Sequence, residues 1–204
     1  MEGQTKFWRR IAAIGLISYA CAGHLFAQSE PVGSLNQPIP KLPEWGITVM
    51  GNRSLLMLGT RDSREGVSFA ISHAQPEPRF RSGSRPAELV WEGYYQYTRS
   101  RKPLTDYPRY TEAVGILAIA RYRWERGALA QFFEIGWGLQ YANRATVDLE
   151  SRWNSTPMAG FGLSWKTRGD EFLIGIRVLH ISNAGTRGSN NGQNQLQMMA
   201  GYRF

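Results

Sequence analysis

Leu89-Val90-Trp91-Glu92-Gly93-Tyr94-Tyr95-Gln96-Tyr97-Thr98 decides how the whole chain is read. Side chains of an extended strand alternate between two faces. Leu89, Trp91, Gly93, Tyr95 and Tyr97 therefore share one face, while Glu92, Gln96 and Thr98 share the other. In a soluble sandwich the apolar face would turn inward against a second sheet. Here the opposite face carries charge, and the chain has nothing else to cover the aromatic face. The pattern is that of a strand with apolar groups outside and polar groups in a narrow lumen.

The same alternation recurs further along. Phe133, Ile135, Trp137, Leu139 and Tyr141 oppose Glu134, Gly136, Gly138 and Gln140. Ala159, Phe161, Leu163 and Trp165 oppose Gly160, Gly162, Ser164 and Lys166. At the end, Leu196, Met198, Ala200, Tyr202 and Phe204 oppose Gln195, Gln197, Gly201 and Arg203. Glycines on the charged face suit a lumen with little room. Eight strands are predicted, over 46–56, 67–73, 87–98, 113–124, 130–141, 158–166, 171–182 and 195–204. Most approach the ~9–11 residues that a tilted strand needs to cross a bilayer. An even number closes an antiparallel barrel and removes every free edge. The expected fold is thus all-β, an eight-stranded antiparallel transmembrane barrel.

The connections agree. Glu125-Arg126-Gly127 and Thr167-Arg168-Gly169-Asp170 read as tight turns, and they alternate with long polar links over 99–112, 142–157 and 183–194. Outer-membrane barrels alternate short periplasmic turns with longer external loops in this way. The link over 74–86 breaks the alternation, being long where a short one is expected. The ending Tyr202-Arg203-Phe204 resembles the C-terminal insertion signal of such barrels.

Ahead of the barrel, Lys6, Arg9 and Arg10 precede an apolar run over 11–23, and Ala27 offers a cleavage point. That is the layout of a secretory signal peptide over 1–27. A lipoprotein site at Cys21 fits less well, because Tyr19 lies within it. Residues 28–44, with four prolines, read as a periplasmic lead-in to a barrel over 45–204. The formal charge of +8 falls to +6 once Lys6, Arg9, Arg10 and Glu2 leave with the signal. A basic exported chain suggests an anionic partner. Nucleic acid is a poor candidate there, so phosphorylated lipid is the natural guess. The alternative is that the arginines merely fill a polar lumen or loops, and charge alone does not decide. Cys21 is the only cysteine, and it lies in the leader, so neither a disulfide framework nor a thiolate metal site is expected. His73 reads as a barrel-wall or rim residue.

The seventh strand carries the candidate chemistry. Phe172, Ile174, Ile176 and Val178 form its apolar row, and His180 and Ser182 extend that row toward the long 183–194 link. Gly175 and Arg177 suit the lumen, although Leu173, Leu179 and Ile181 blur the assignment. Two residues apart on a strand is ~6.6 Å, a spacing at which an imidazole can lean toward a hydroxyl and activate it. A His-x-Ser pair alone is more often a rim feature than a catalytic one.

Its surroundings shift that balance. His180-Ile181-Ser182-Asn183-Ala184-Gly185, followed by Asn190-Asn191-Gly192 and a last strand, resembles the lipid A 3-O-deacylase (PagL-type) family of outer-membrane barrels. The glycine-alternating Phe133–Leu139 run is similar as well. The resemblance implies an ester hydrolase with Ser182 as nucleophile and His180 as general base. Asn183, Gly185 and Asn190 would stabilise the oxyanion. The family has a Glu orienting its histidine where ungapped spacing here gives Asn194. Asn194 shares the parity of Leu196 and would face His180 from the neighbouring strand. An asparagine can orient an imidazole, but it lacks the full charge that steadies an imidazolium.

The expected activity is removal of a primary, 3-O-linked acyl chain from lipid A of lipopolysaccharide, in the outer membrane of a Gram-negative cell. No cofactor or metal is expected, and a homodimer is left open. Basic loop residues Arg101, Arg144 and Arg187 could meet lipid A phosphates or be ordinary solvated charges. Two other classes compete: a non-catalytic small barrel with a structural or lipid-binding role, and a soluble secreted β-sandwich.

Overall fold

The computed structural model describes residues 44–204 other than 83–84, 103–105 and 187–190, and for 78–86 the backbone alone. The expected signal peptide and, apart from Glu44, the lead-in lie outside the described residues, as do Arg187 and Asn190.

Nine strands occur among the described residues: β1 Trp45–Leu55, β2 Arg64–Ser82, β3 Arg85–Ser100, β4 Tyr110–Arg126, β5 Leu129–Ala142, β6 Trp153–Ser155, β7 Met158–Thr167, β8 Asp170–Ile181 and β9 Gln193–Arg203. All pair antiparallel with their neighbours, β1 pairs with β9, and the β4–β5 pairing closes the sheet into a barrel. The ninth strand does not disturb the eight-strand reading. Ser155 pairs with Leu139 while Met158 pairs with Gly136, and Ser155 bridges Ser182 while Met158 pairs with Leu179. Register is therefore continuous from β6 into β7 on both sides. Together they are one strand interrupted at Thr156-Pro157, where proline has no N–H to give the ladder. Its carbonyl still accepts from His180 N–H at 2.9 Å.

One expectation is corrected. The long link over 74–86 does not exist, because β2 runs to Ser82 and β3 restarts at Arg85. A register irregularity between Glu77 and Arg81 absorbs the bulge in this hairpin. Three prolines and several charges hide its alternation in the sequence, since proline is tolerated in strands chiefly at edges and bulges. With the hairpin restored, short turns and long links alternate around the barrel.

Burial follows parity. On β1 and β5 exposed and buried residues alternate almost without a break. The outward face carries Ile47, Phe69, Trp91, Ile116, Trp137, Phe161 and Ile174, all large, apolar and exposed. Toward the short-turn end, Trp165, Phe172, Tyr202 and Phe204 stack in sequence, with ring centroids 5.0–6.0 Å apart. His73, within β2, packs edge-on against Trp45 at 4.8 Å, a place on the barrel wall.

The inside is filled. Arg177 meets Glu92 at 2.6 Å and Glu134 at 3.0 Å, Arg121 meets Glu134 at 2.6 Å, and Arg203 joins Glu88 at 3.1 Å to Glu171 at 2.8 Å. Arg123 pairs with Glu171 as well. Arg121 also reaches Glu88 at 3.6 Å, so four arginines and four glutamates alternate in one buried network and it traps no net charge where water is scarce. Leu173, Leu179 and Ile181 also turn inward and are buried, which resolves their place on β8. Space is tight: a Cβ on Gly162 would lie 2.4 Å from the ring of Phe132, so only glycine fits across from it.

Candidate active site at the outer rim of β8 and β9

β8 runs from its tight turn toward the long-link end, and its outward row of Phe172, Ile174 and Val178 is exposed. His180 continues that row and is half-buried. Directly across, His180 pairs with Asn194 in the β8–β9 register. Their side chains meet, with His180 Nδ1 2.8 Å from Asn194 Oδ1.

The protonation of that contact follows from the amide. Asn194 Nδ2 donates to the Met57 carbonyl at 2.7 Å and to Thr60 Oγ1 at 2.9 Å. A carbonyl can only accept, so the nitrogen end of the amide faces Met57 and the oxygen end faces the ring. Oδ1 in turn can only accept, so Nδ1 of neutral His180 carries the proton and Nε2 holds the free lone pair. An imidazole in this tautomer is ready to take a proton at Nε2.

Ser182 lies two residues on and is 8% exposed. Its backbone is fixed by β6: Ser155 N–H donates to the Ser182 carbonyl at 2.7 Å, and Ser182 N–H donates to the Ser155 carbonyl at 3.1 Å. Among the described residues no hydrogen bond joins His180 to Ser182. Catalytic hydrogen bonds are often long without substrate and tighten when it binds.

Just past Ser182 the chain turns sharply. Asn183 Oδ1 accepts from Gly185 N–H at 2.9 Å, and its carbonyl accepts from Thr186 N–H at 3.0 Å and the Thr186 hydroxyl at 2.7 Å. Ala184 and Gly185 take positive φ, 53° and 77°. Of the residues singled out from sequence, His180, Ser182, Asn183, Gly185 and Asn194 gather at one end of β8 and β9.

Sequence reading missed the β1–β2 loop, which supplies Met57 and Thr60. Thr60 also accepts from Asn194 N–H at 2.8 Å and donates to the Gly192 carbonyl at 3.2 Å. Gly192 has φ +73°, and a Cβ there would sit 2.7 Å from His180 Cε1. Glycine is thus what lets the backbone lie against the ring. The loop is tied down on its far side. Asp148 accepts from Arg61 N–H and Asp62 N–H, both at 2.9 Å. Burial pushes its carboxyl above the ordinary range, against the pull of those two amides.

Around the wall from this cluster lies an outward cleft of about 780 Å³, lined by Gly51, Arg53, Val67, Tyr97, Arg99, Leu196 and Met198 among others. Leu196 is two residues from Asn194 on the same face of β9, so the cleft begins beside the cluster. Leu56, Met57 and Leu58 stand exposed at the tip of the β1–β2 loop.

Residues 66–203 match the family model described as lipid A 3-O-deacylase (PagL). Two solved structures share the fold. The outer membrane enzyme PagL aligns with a TM-score of 0.57 and 17% identity, covering 76% of this chain and 97% of that one. Neisserial surface protein A (NspA) aligns with a TM-score of 0.52 and 16% identity, covering 78% and 94%. At such identities the likeness is one of fold. No curated protein matches the chain.

Proposed function

The chain belongs to the lipid A 3-O-deacylase family, and from that premise we propose that it is an outer-membrane serine esterase removing a primary, 3-O-linked acyl chain from lipid A of lipopolysaccharide. The observation that carries this reading is the His180–Asn194 hydrogen bond on the outward wall, which leaves Nε2 as a base on the strand that bears Ser182. The exposed apolar belt belongs in the hydrocarbon of the bilayer, and the long links face outward from the cell.

In the reaction, Ser182 Oγ attacks the ester carbonyl while His180 Nε2 takes the hydroxyl proton. The tetrahedral intermediate expels the sugar oxygen, which leaves with that proton, and the acyl chain remains on Ser182. Water then attacks the acyl-enzyme with His180 again as base, releasing the fatty acid. Asn183 supports the oxyanion, with Gly185 shaping the turn beside it. Asn190 is proposed to add a second donor. Asn194 orients the base without a full charge. Leu196, Met198 and Val67 line a place for an acyl chain, and Arg53 and Arg99 at the cleft could meet a phosphate.

Mass spectrometry of lipid A from cells expressing the protein tests this. The expected result is loss of one hydroxyacyl chain, abolished by Ser182→Ala. An unchanged lipid A profile with correctly inserted wild-type protein would leave a structural or lipid-binding barrel as the reading.

A further inference from the structure

The base in this site is oriented by an amide, and an amide has a wrong way round. A carboxylate offers an acceptor oxygen in either orientation, whereas a flipped carboxamide would present N–H to the ring. Flipping would turn His180 to its other tautomer and place the proton on Nε2, where it cannot act as base. An orienting asparagine therefore needs its own orientation fixed.

Building on the proposed function, we infer that Thr60 is a positioning residue that fixes the Asn194 carboxamide and, through it, the catalytic tautomer of His180. The Thr60 hydroxyl is saturated in a way that only an alcohol can manage. It donates its proton to the Gly192 carbonyl and accepts from both Asn194 N–H and Asn194 Nδ2. These three bonds tie the side chain, its backbone, and the glycine packed against the ring to one atom. Thr60 is 7% exposed, so water does not readily replace it. The Met57 carbonyl supplies the second acceptor for the amide and comes from the same loop. Asp148 holds the following two residues through their amides, so the bracket is anchored at both ends.

The test uses the full barrel in detergent micelles with ¹⁵N-labelled histidine. The ¹⁵N shifts of His180 report which nitrogen is protonated, whether or not the protein turns over a substrate. Wild type is expected to hold the Nδ1–H form. Thr60→Val should move His180 toward a tautomer mixture and lower kcat for lipid A about ten-fold with little change in KM. Thr60→Ser should restore both. In an Asn194→Asp background either carboxylate oxygen accepts from the ring, so adding Thr60→Val should then leave His180 in the Nδ1–H form. An unchanged His180 tautomer in Thr60→Val, or an equal tautomer mixture when Thr60→Val is added to Asn194→Asp, would overturn the inference. Failure of the wild type to cleave lipid A would instead remove the esterase reading, and the tautomer measurement would still decide the role of Thr60.

Discussion

The lumen and the outer rim are both polar clusters, and they are built on opposite plans. Inside the barrel, Arg121, Arg123, Arg177 and Arg203 are matched by Glu88, Glu92, Glu134 and Glu171. At the rim, His180, Ser182, Asn194 and Thr60 carry no formal carboxylate or guanidinium among them. The lumen uses full charges, and each is answered by another. The rim uses a directed chain from the Met57 carbonyl through Asn194 to His180, and with the ring neutral that chain ends on an unprotonated nitrogen. A closed network stabilises; a chain with an open end can act on something else.

This contrast can be broken at several points. The largest effect is expected from Ser182→Ala, which should lower lipid A deacylation by about a thousand-fold or more while the barrel keeps its heat-modifiable gel mobility. Next is Arg177→Met, which takes from Glu92 its ion-pair partner in the lumen and leaves Glu134 with Arg121 alone. Removing one partner of a buried pair costs about 3–5 kcal/mol, read as a fall in urea resistance in lipid vesicles. Activity per folded molecule should stay within about two-fold. A large drop in that specific activity would mean that lumen and rim are not separate.

Gly192→Ala sharpens the rim side. Positive φ and the close ring should together cost about 1–3 kcal/mol, seen as reduced kcat and a shifted His180 resonance. Asp148→Asn should act more weakly, because it loses one of two acceptors for the loop amides. Faster hydrogen exchange at Arg61 and Asp62 with only a few-fold loss of kcat is the expected result. The mildest is Arg99→Ala, which breaks an exposed pair with Glu65. Stability should not move, since exposed pairs contribute little, and a modest rise in KM for phosphorylated lipid A over its dephosphorylated form would place a phosphate there.

What could be read in the sequence was what depends on parity. Strand faces are set by a period of two, so Trp137 outside and Glu134 inside follow without knowledge of any partner strand. The facing of His180 and Asn194 followed from the same rule, because both lie on the outward rows of adjacent strands. The β2–β3 hairpin did not, since Pro76, Pro78 and Pro86 suppress the alternation that would have marked it. Neither did the union of β6 with β7, where Pro157 removes a ladder bond without ending the strand. Thr60 was the least legible. It lies in a loop 134 residues from Asn194, and nothing periodic ties a loop hydroxyl to the amide it will meet. Parity also left open whether the inward Leu173, Leu179 and Ile181 belonged to a lumen at all. Small barrels fill their interior with whatever packs, and here apolar residues share it with the charges.

The filled lumen has a consequence for traffic. Arg177 and its partners fill the axis, and among the described residues these lumen side chains are buried. Under the proposed function, an acyl chain cut at the outward wall would enter and leave within the plane of the membrane. Turnover in such a setting follows the mole fraction of substrate in the surrounding leaflet and the lateral diffusion of lipid. Diluting lipid A with inert phospholipid at constant bulk concentration should then slow the reaction, whereas diluting the whole suspension should not.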